Sequence, residues 1–423
     1  MSIVNRKNIK PRNITITNML ILLLFSFASM DLFQYEGRTF FFYIGLIFLI
    51  YSMLLNRRRL HFICDPLIIA IFLEFFLSGI LAQLGNMSSE YKKTALVMPL
   101  LVFPIFLEAS MFEKIIIKNK NTIMLIIKGI KIACSIQFIY IPLQYISYHF
   151  KTIDLNKIIF VNALGMVKNA SFIRDWVWYP SGVTYHSAII APLMVLGIVL
   201  FRNSFFRILI IVDAFICGNS SALIGVCVTV MLLFFSQCLD RNKSSKIKKR
   251  AIFTAMGVLI FIAIILLSTD VLSMAMDKIG YISARLLSSS KDTSTNAHLS
   301  YYYRYPQIFS KNTIIQNLFG YGYSCSGSVF SNLDNRFNIG SWAVESDIMD
   351  RLYSLGIVGF VLYYTFLAKI AIKGRHIDRR YAIIMIAIII QGFGYNLQWD
   401  YVFLFELILY ICIRKKINIF NFI

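Results

Sequence analysis

Long apolar runs, separated by short polar stretches that collect most of the charge, constrain this chain more than any other feature. They fall near residues 14 to 30, 39 to 55, 67 to 84, 94 to 110, 132 to 148, 187 to 201, 206 to 217, 221 to 238, 251 to 268, 354 to 372, 381 to 397 and 401 to 413. A helix needs roughly 20 apolar residues to cross a hydrocarbon layer of about 30 Å, where the backbone must satisfy its own hydrogen bonds. With 58% hydrophobic and 15% charged residues in 423, a water-soluble globular protein is excluded, since its charged fraction would be nearer a quarter. The expected fold is an all-α polytopic integral membrane protein, a single membrane-embedded domain over 1–423. It should have about twelve transmembrane helices, or ten if the pair around Gly218 and Asn219 is one re-entrant hairpin. Two long loops, about 149–186 and about 269–353, should share one face.

The net charge of +21 raises nucleic acid as a partner. The basic residues are dispersed in clusters between apolar runs rather than gathered on one surface, so no nucleic-acid partner is expected. They alternate as topology signals instead: Arg57 to Arg59, the RNKSSKIKKR run inside a basic loop at 239–250, and Arg414 to Lys416 all fall on one side with the N-terminus. Both termini and that loop are expected to be cytoplasmic, which places the two long loops outside. Trp176, Trp178, Trp342 and Trp399 fall at or near that outer face, where amphipathic rings favour the interface. The first run follows basic residues but lacks a small-residue cleavage pattern, so it is expected to stay as a span.

Of the seven cysteines only Cys325 falls clearly in an outer loop, so no disulfide framework is indicated. No Cys/His spacing points to metal, and no cofactor is expected. Glu74, Asp213 and Glu406 interrupt apolar runs. A charge facing lipid at a helix centre costs about 2.5–3.5 kcal/mol, so these three should face the bundle, as interhelical hydrogen-bonding groups or as an ion path.

Chemistry is expected where polar loops meet the membrane. The stretch from His298 to Phe360 is the densest in polar, aromatic and charged residues. It holds Arg304 among Tyr301, Tyr302, Tyr303 and Tyr305, then Gly320-Tyr321-Gly322-Tyr323, then Glu345, Asp347, Asp350 and Arg351 at a helix start. The earlier loop adds Arg174, Asp175, Trp176, Trp178, Tyr179, Pro180-Ser181-Gly182 and His186. Guanidinium groups pair bidentately with phosphate oxygens, and Glu345 or His186 could take a proton from an attacking hydroxyl. Plainer roles are open at each position. The rings could form an interfacial belt, Gly320 and Gly322 could be turn residues, and Asp347 with Arg351 could be an i,i+4 pair.

Three segments, RDWVWYPSGVTYHSA from 174, SSALIGVCV from 220 and YRYPQIFSK through NLFGYGYS to ESDIMDRLYSLGIVGF from 303 to 360, together with the hydropathy pattern, resemble the O-antigen polymerase (Wzy) and O-antigen ligase superfamily. The resemblance implies a multi-pass protein of the bacterial inner membrane. It would be a glycosyltransferase joining undecaprenyl-diphosphate-linked oligosaccharide repeat units on the periplasmic side, by an inverting reaction without metal. It further implies that Arg174 and Arg304 contact the diphosphate; Tyr303, Tyr305, Trp176, Gly320 and Gly322 are expected around the substrate from their own chemistry and position. Glu345 would be the base, or His186 in its place, and a separate chain-length regulator would be a partner. Glu345 stands where ligases usually show a His-Asn pair, which favours a polymerase. A ligase acting on lipid A core and a lipid-linked oligosaccharide flippase are the alternatives.

Overall fold

A computed structural model describes residues 11–55, 63, 65–85, 87–174, 177–238, 301–327, 329, 344–395 and 400–422. The described chain is mostly helical. The first eight helices are α1 (Pro11–Ser26), α2 (Phe40–Leu55), α3 (Pro66–Leu81), α4 (Ser89–Lys118), α5 (Asn121–Lys151), α6 (Ala191–Leu200), α7 (Ser204–Ile216) and α8 (Ser220–Cys238). Two short helices, α9 (Tyr305–Lys311) and α10 (Ile314–Phe319), precede α11 (Asp347–Gly374), α12 (Arg379–Gly394) and α13 (Asp400–Arg414). Apart from the run at 251–268, which with the basic loop 239–250 lies outside the described residues, the described part of every expected apolar run lies mostly on helix.

Length separates these helices. Four are long and apolar enough to cross a membrane: Pro66–Leu84, which adds a 3-10 turn to α3, then Ser89–Ile117, Asn121–Lys151 and Asp347–Gly374. Shorter apolar helices cover Ile16–Ser26, Phe40–Leu55, Ser187–Leu200 and Ser220–Ser236. Hydropathy underestimated α4 and α5, expected at 94–110 and 132–148, because it registers only the apolar part of a helix. Their Lys-bearing ends continue the hydrogen-bond ladder, with a single tight reversal at Asn119 and Lys120 between them. At 1.5 Å per residue each is about 45 Å long.

Small residues set the closest packing. In α4, Pro99 has no N–H to donate to the carbonyl of Ala95. Gly79 of α3 seats against that carbonyl, where a Cβ would lie 2.3 Å from the oxygen. Gly129 of α5 meets α1 in the same way, at Phe25 and the Leu22 carbonyl. All ten residues of α6 are buried, as expected of a helix apolar on every side. Glu74, Asp213 and Glu406 are each buried, so the expectation that they face the bundle holds.

The break in α11 decides the geometry of the candidate site. Gly356 leaves the helix (φ 64°, ψ −168°), dividing α11 into a first half carrying Asp347, Asp350 and Arg351 and a longer second half. The segment after α10 fills the gap. The Tyr321 amide donates to the Tyr353 carbonyl and the Gly322 amide to the Ser354 carbonyl, both at 2.9 Å. Gly320 (φ 76°) and Gly356 touch backbone to backbone: a Cβ on Gly320 would lie 2.4 Å from the Ser354 carbonyl, and one on Gly356 would lie 2.4 Å from that of Leu318.

Gly320→Ala or Gly356→Ala should combine a strained positive φ with a backbone clash and cost about 2 kcal/mol or more. Gly165→Ala, also at positive φ (60°) but with nothing within 4 Å of the added Cβ, should lose only about 1 kcal/mol. Thermal unfolding of the detergent-solubilised variants checks the order, and equal losses would contradict the backbone lock.

Candidate functional site

A cavity of about 470 Å³ opens where several chain reversals meet at one end of the bundle. Asp31 reaches it from the turn after α1. Arg38 comes from the hairpin of β1 (Gln34–Tyr35) and β2 (Arg38–Thr39), whose turn uses Glu36 and Gly37 at positive φ. Glu345 lines it just before the Ser346 cap of α11, Tyr395 from the end of α12, and Asp400 and Tyr401 from the start of α13. Tyr323, three residues past Gly320, completes the aromatic wall and stacks on Phe75 at 4.5 Å.

The end of the first long loop, expected to be an outer loop, braces this cavity through a buried segment. After α5 comes a short π-helical segment (Lys157–Ala163), then the hairpin of β3 (Ile173–Arg174) and β4 (Val177–Trp178). Residues 180–184 are buried. The Gly182 amide donates to Gln144 Oε1 (2.8 Å) and the Val183 amide to Gln137 Oε1 (2.7 Å), while Gln137 Nε2 donates to the Ser29 carbonyl (2.8 Å). Gly182 (φ 69°) allows the approach, since a Cβ there would sit 2.3 Å from Gln137 Oε1. The next amide but two, that of Tyr185, donates to Asp31 Oδ1 at 3.1 Å. Thus two glutamines on α5 position the loop, and the loop positions Asp31.

The expected site residues separate. Glu345 is exposed on the cavity wall. His186 stands one ring behind it: its face stacks on Tyr395 (5.1 Å, 13°), and its Nδ1 accepts from the Ala188 amide at 3.0 Å. Nδ1 is the lone-pair nitrogen of that neutral tautomer and caps the turn that follows. Arg304 is half-buried at the start of α9, Tyr303 is exposed, and Tyr305 packs on Tyr353 at 5.6 Å; none of the three lines the cavity. The backbone of Arg174 pairs with Val177 in the hairpin, and Trp176 lies outside the described residues. Gly320 and Gly322 serve the break in α11, and the amides of Tyr321 and Gly322 are consumed there. The turn reading of these glycines, extended to backbone packing, explains them without a ligand. Trp178 also has a packing role, stacked on Tyr148 at 4.1 Å with its indole N–H donating to Asp154 (3.2 Å).

Asp31, Arg38 and Asp400 were not singled out in the sequence. Each lies within a few residues of an apolar run, where it looks like a boundary charge. Removal from bulk water pushes Asp31 up to about 8, against the lowering effect of the Tyr185 amide.

Behind Tyr323 lies a buried charged cluster around the first half of α11. Arg351 is 1% exposed, with its guanidinium 4.2 Å from the Tyr363 ring centre and 5.7 Å from that of Tyr323. Its Nε is 3.5 Å from Asp347 Oδ1, which bears out the i,i+4 pairing. Tyr364 donates to Asp347 and Tyr363 to Glu406, both at 3.0 Å. Asp350 accepts from Ser326, whose Oγ accepts in turn from the Val344 amide (2.8 Å), so the cluster is tied to the strand of chain carrying Glu345.

No family model matches this chain, and no curated protein sequence matches it.

Two outcomes follow. Arg351→Leu should leave Asp347 without its countercharge and destabilise the protein by about 3–5 kcal/mol, part of which Asp347→Asn in the same chain should restore; thermal unfolding reads both. Asp31 has a folded-state pKa near 8 against about 3.9 for an unfolded aspartate. Between those values the folded state holds a proton that the unfolded state has released. Its contribution to stability is therefore present at low pH and lost as pH rises through 8. Asp31→Asn should flatten that part of the Tm-versus-pH curve, and an unchanged slope would mean that Asp31 ionises as a solvated carboxyl does.

Proposed function

We propose that this protein is a polymerase of lipid-linked oligosaccharide repeat units, in the bacterial inner membrane, with about twelve spans, both termini in the cytoplasm and the cavity facing the periplasm. The observation that carries the reading is Glu345: the residue expected as base from the sequence opens onto a cavity of about 470 Å³ with aromatic walls, within the usual size range for small-molecule sites. In the reaction the Glu345 carboxylate takes the proton of an acceptor hydroxyl as that oxygen attacks C1 of the donor sugar. The bond from C1 to the diphosphate oxygen breaks, and undecaprenyl diphosphate leaves with the bonding pair. Arg38 is the guanidinium on the cavity wall, and Arg174 and Arg304 are assigned to the diphosphate on the family resemblance. His186 orients Tyr395 through the ring stack. The donor and acceptor are both undecaprenyl-diphosphate-linked, and a chain-length regulator is the expected protein partner.

A flippase for the same lipid-linked oligosaccharide is the second reading. It draws on the buried charges of Asp347, Asp350, Arg351 and Glu406 beside a broken helix, a combination that transporters use to build sites at mid-membrane.

Glu345→Gln should lower polymerisation by about 10²–10⁴-fold, the range for loss of a general base, with the protein still in the membrane. Surface lipopolysaccharide from the deletion strain, restored with wild type or Glu345→Gln, is separated on a gel. A single repeat unit on the lipid A core in place of the long-chain ladder marks a polymerase. Undecaprenyl-linked polymer with nothing on the core marks a ligase, and lipid-linked units retained in the cytoplasmic leaflet mark a flippase. Full ladders with Glu345→Gln would remove Glu345 as the base.

A further inference from the structure

The charge of the cavity wall says which part of such a substrate it can hold. Among the described residues, three carboxylates, Asp31, Glu345 and Asp400, line it against one guanidinium, Arg38. With Asp31 protonated, Glu345 and Asp400 still outnumber Arg38. A diphosphate brings two or more negative charges, and one such guanidinium does not offset them beside these carboxylates. Hydroxyl and ammonium groups are the complementary donors: a carboxylate accepts from neighbouring sugar hydroxyls through its two oxygens, and an amine adds a charge-assisted bond. The faces of Tyr323, Tyr395 and Tyr401 supply apolar cover for the C–H surfaces of a pyranose.

We propose that this cavity takes an uncharged or amine-bearing sugar of the oligosaccharide and excludes its diphosphate. The inference rests on the glycan-transfer reading for the identity of the ligand, while the charge selectivity stands on the wall residues alone. The sugar enters and the diphosphate stays outside. Repeat units that present a uronic acid at this position are disfavoured for the same reason as phosphate.

Thiol labelling of the full chain in membrane vesicles tests this. Ser324 lines the cavity, and Ser324→Cys is treated with methanethiosulfonate reagents carrying either an ammonium or a sulfonate group, with the parent chain subtracting the native cysteines. After normalisation to a free small thiol, the cationic reagent should react at least about tenfold faster, the lower end of what a cleft of one charge sign produces. Glu345→Gln with Asp400→Asn in the same chain should remove most of that ratio. Glucosamine should slow the labelling and inorganic diphosphate should not. Equal rates, a faster sulfonate, or protection by diphosphate rather than glucosamine would overturn the proposal. Thr39→Cys, also on the cavity lining, serves if Ser324→Cys fails to insert. The labelling ratio does not depend on polymer being made, so a failed ladder experiment and a failed charge selectivity are told apart.

Discussion

The wall of the candidate site that carries Tyr323 and Glu345 depends on how the break in α11 is satisfied. A helix interrupted inside an apolar bundle frees carbonyls that no water can reach, and each needs a protein donor. Tyr321 and Gly322 supply those donors, and their backbone approaches closely enough only because Gly320 and Gly356 both lack a Cβ. The lock does more than satisfy two carbonyls. It places Tyr323 on the cavity wall and aims the first half of α11 so that Glu345, just before its cap, faces the same space.

The buried cluster behind that wall makes the first half of α11 rigid in a different way. Arg351 is held by Asp347, by the Tyr363 face and by its closeness to Tyr323, while Asp350 reaches the chain before Glu345 through Ser326 and Val344. Buried ion pairs contribute little net stability relative to a well-packed apolar core, because desolvation offsets most of the attraction. Their effect here is positional: charge and aromatic contacts fix one arrangement of the elements that form the cavity.

Legibility in the sequence followed the range of the interaction. Asp347 with Arg351, four residues apart on one helix face, was readable because the contact is local. The burial of Glu74, Asp213 and Glu406 was readable because a carboxyl inside an apolar run has few other places to go. Glu345, one of two candidate bases, lines the cavity, and the capping role of His186 became visible only from the Ala188 amide. Arg174 and Arg304 were chosen for their chemistry, yet among the described residues the guanidinium on the cavity wall is Arg38, from a hairpin that hydropathy treats as a gap between spans.

By itself the sequence determined that the chain is helical and apolar, where most helices lie, and which of its charges must face inward, since these follow from periodicity and the cost of burying polar groups. Only the tertiary structure decided that Gly320 and Gly356 meet, that residues 180–184 brace Asp31, and that Asp31, Arg38, Glu345 and Asp400 share one wall. Those four residues are separated by up to several hundred positions in the chain, and no local propensity or hydropathy pattern carries the distance between them. Their grouping is set by close backbone approach at glycines and by hydrogen bonds from the amides of Gly182 and Val183 to glutamines of α5, which exist only once the bundle has packed.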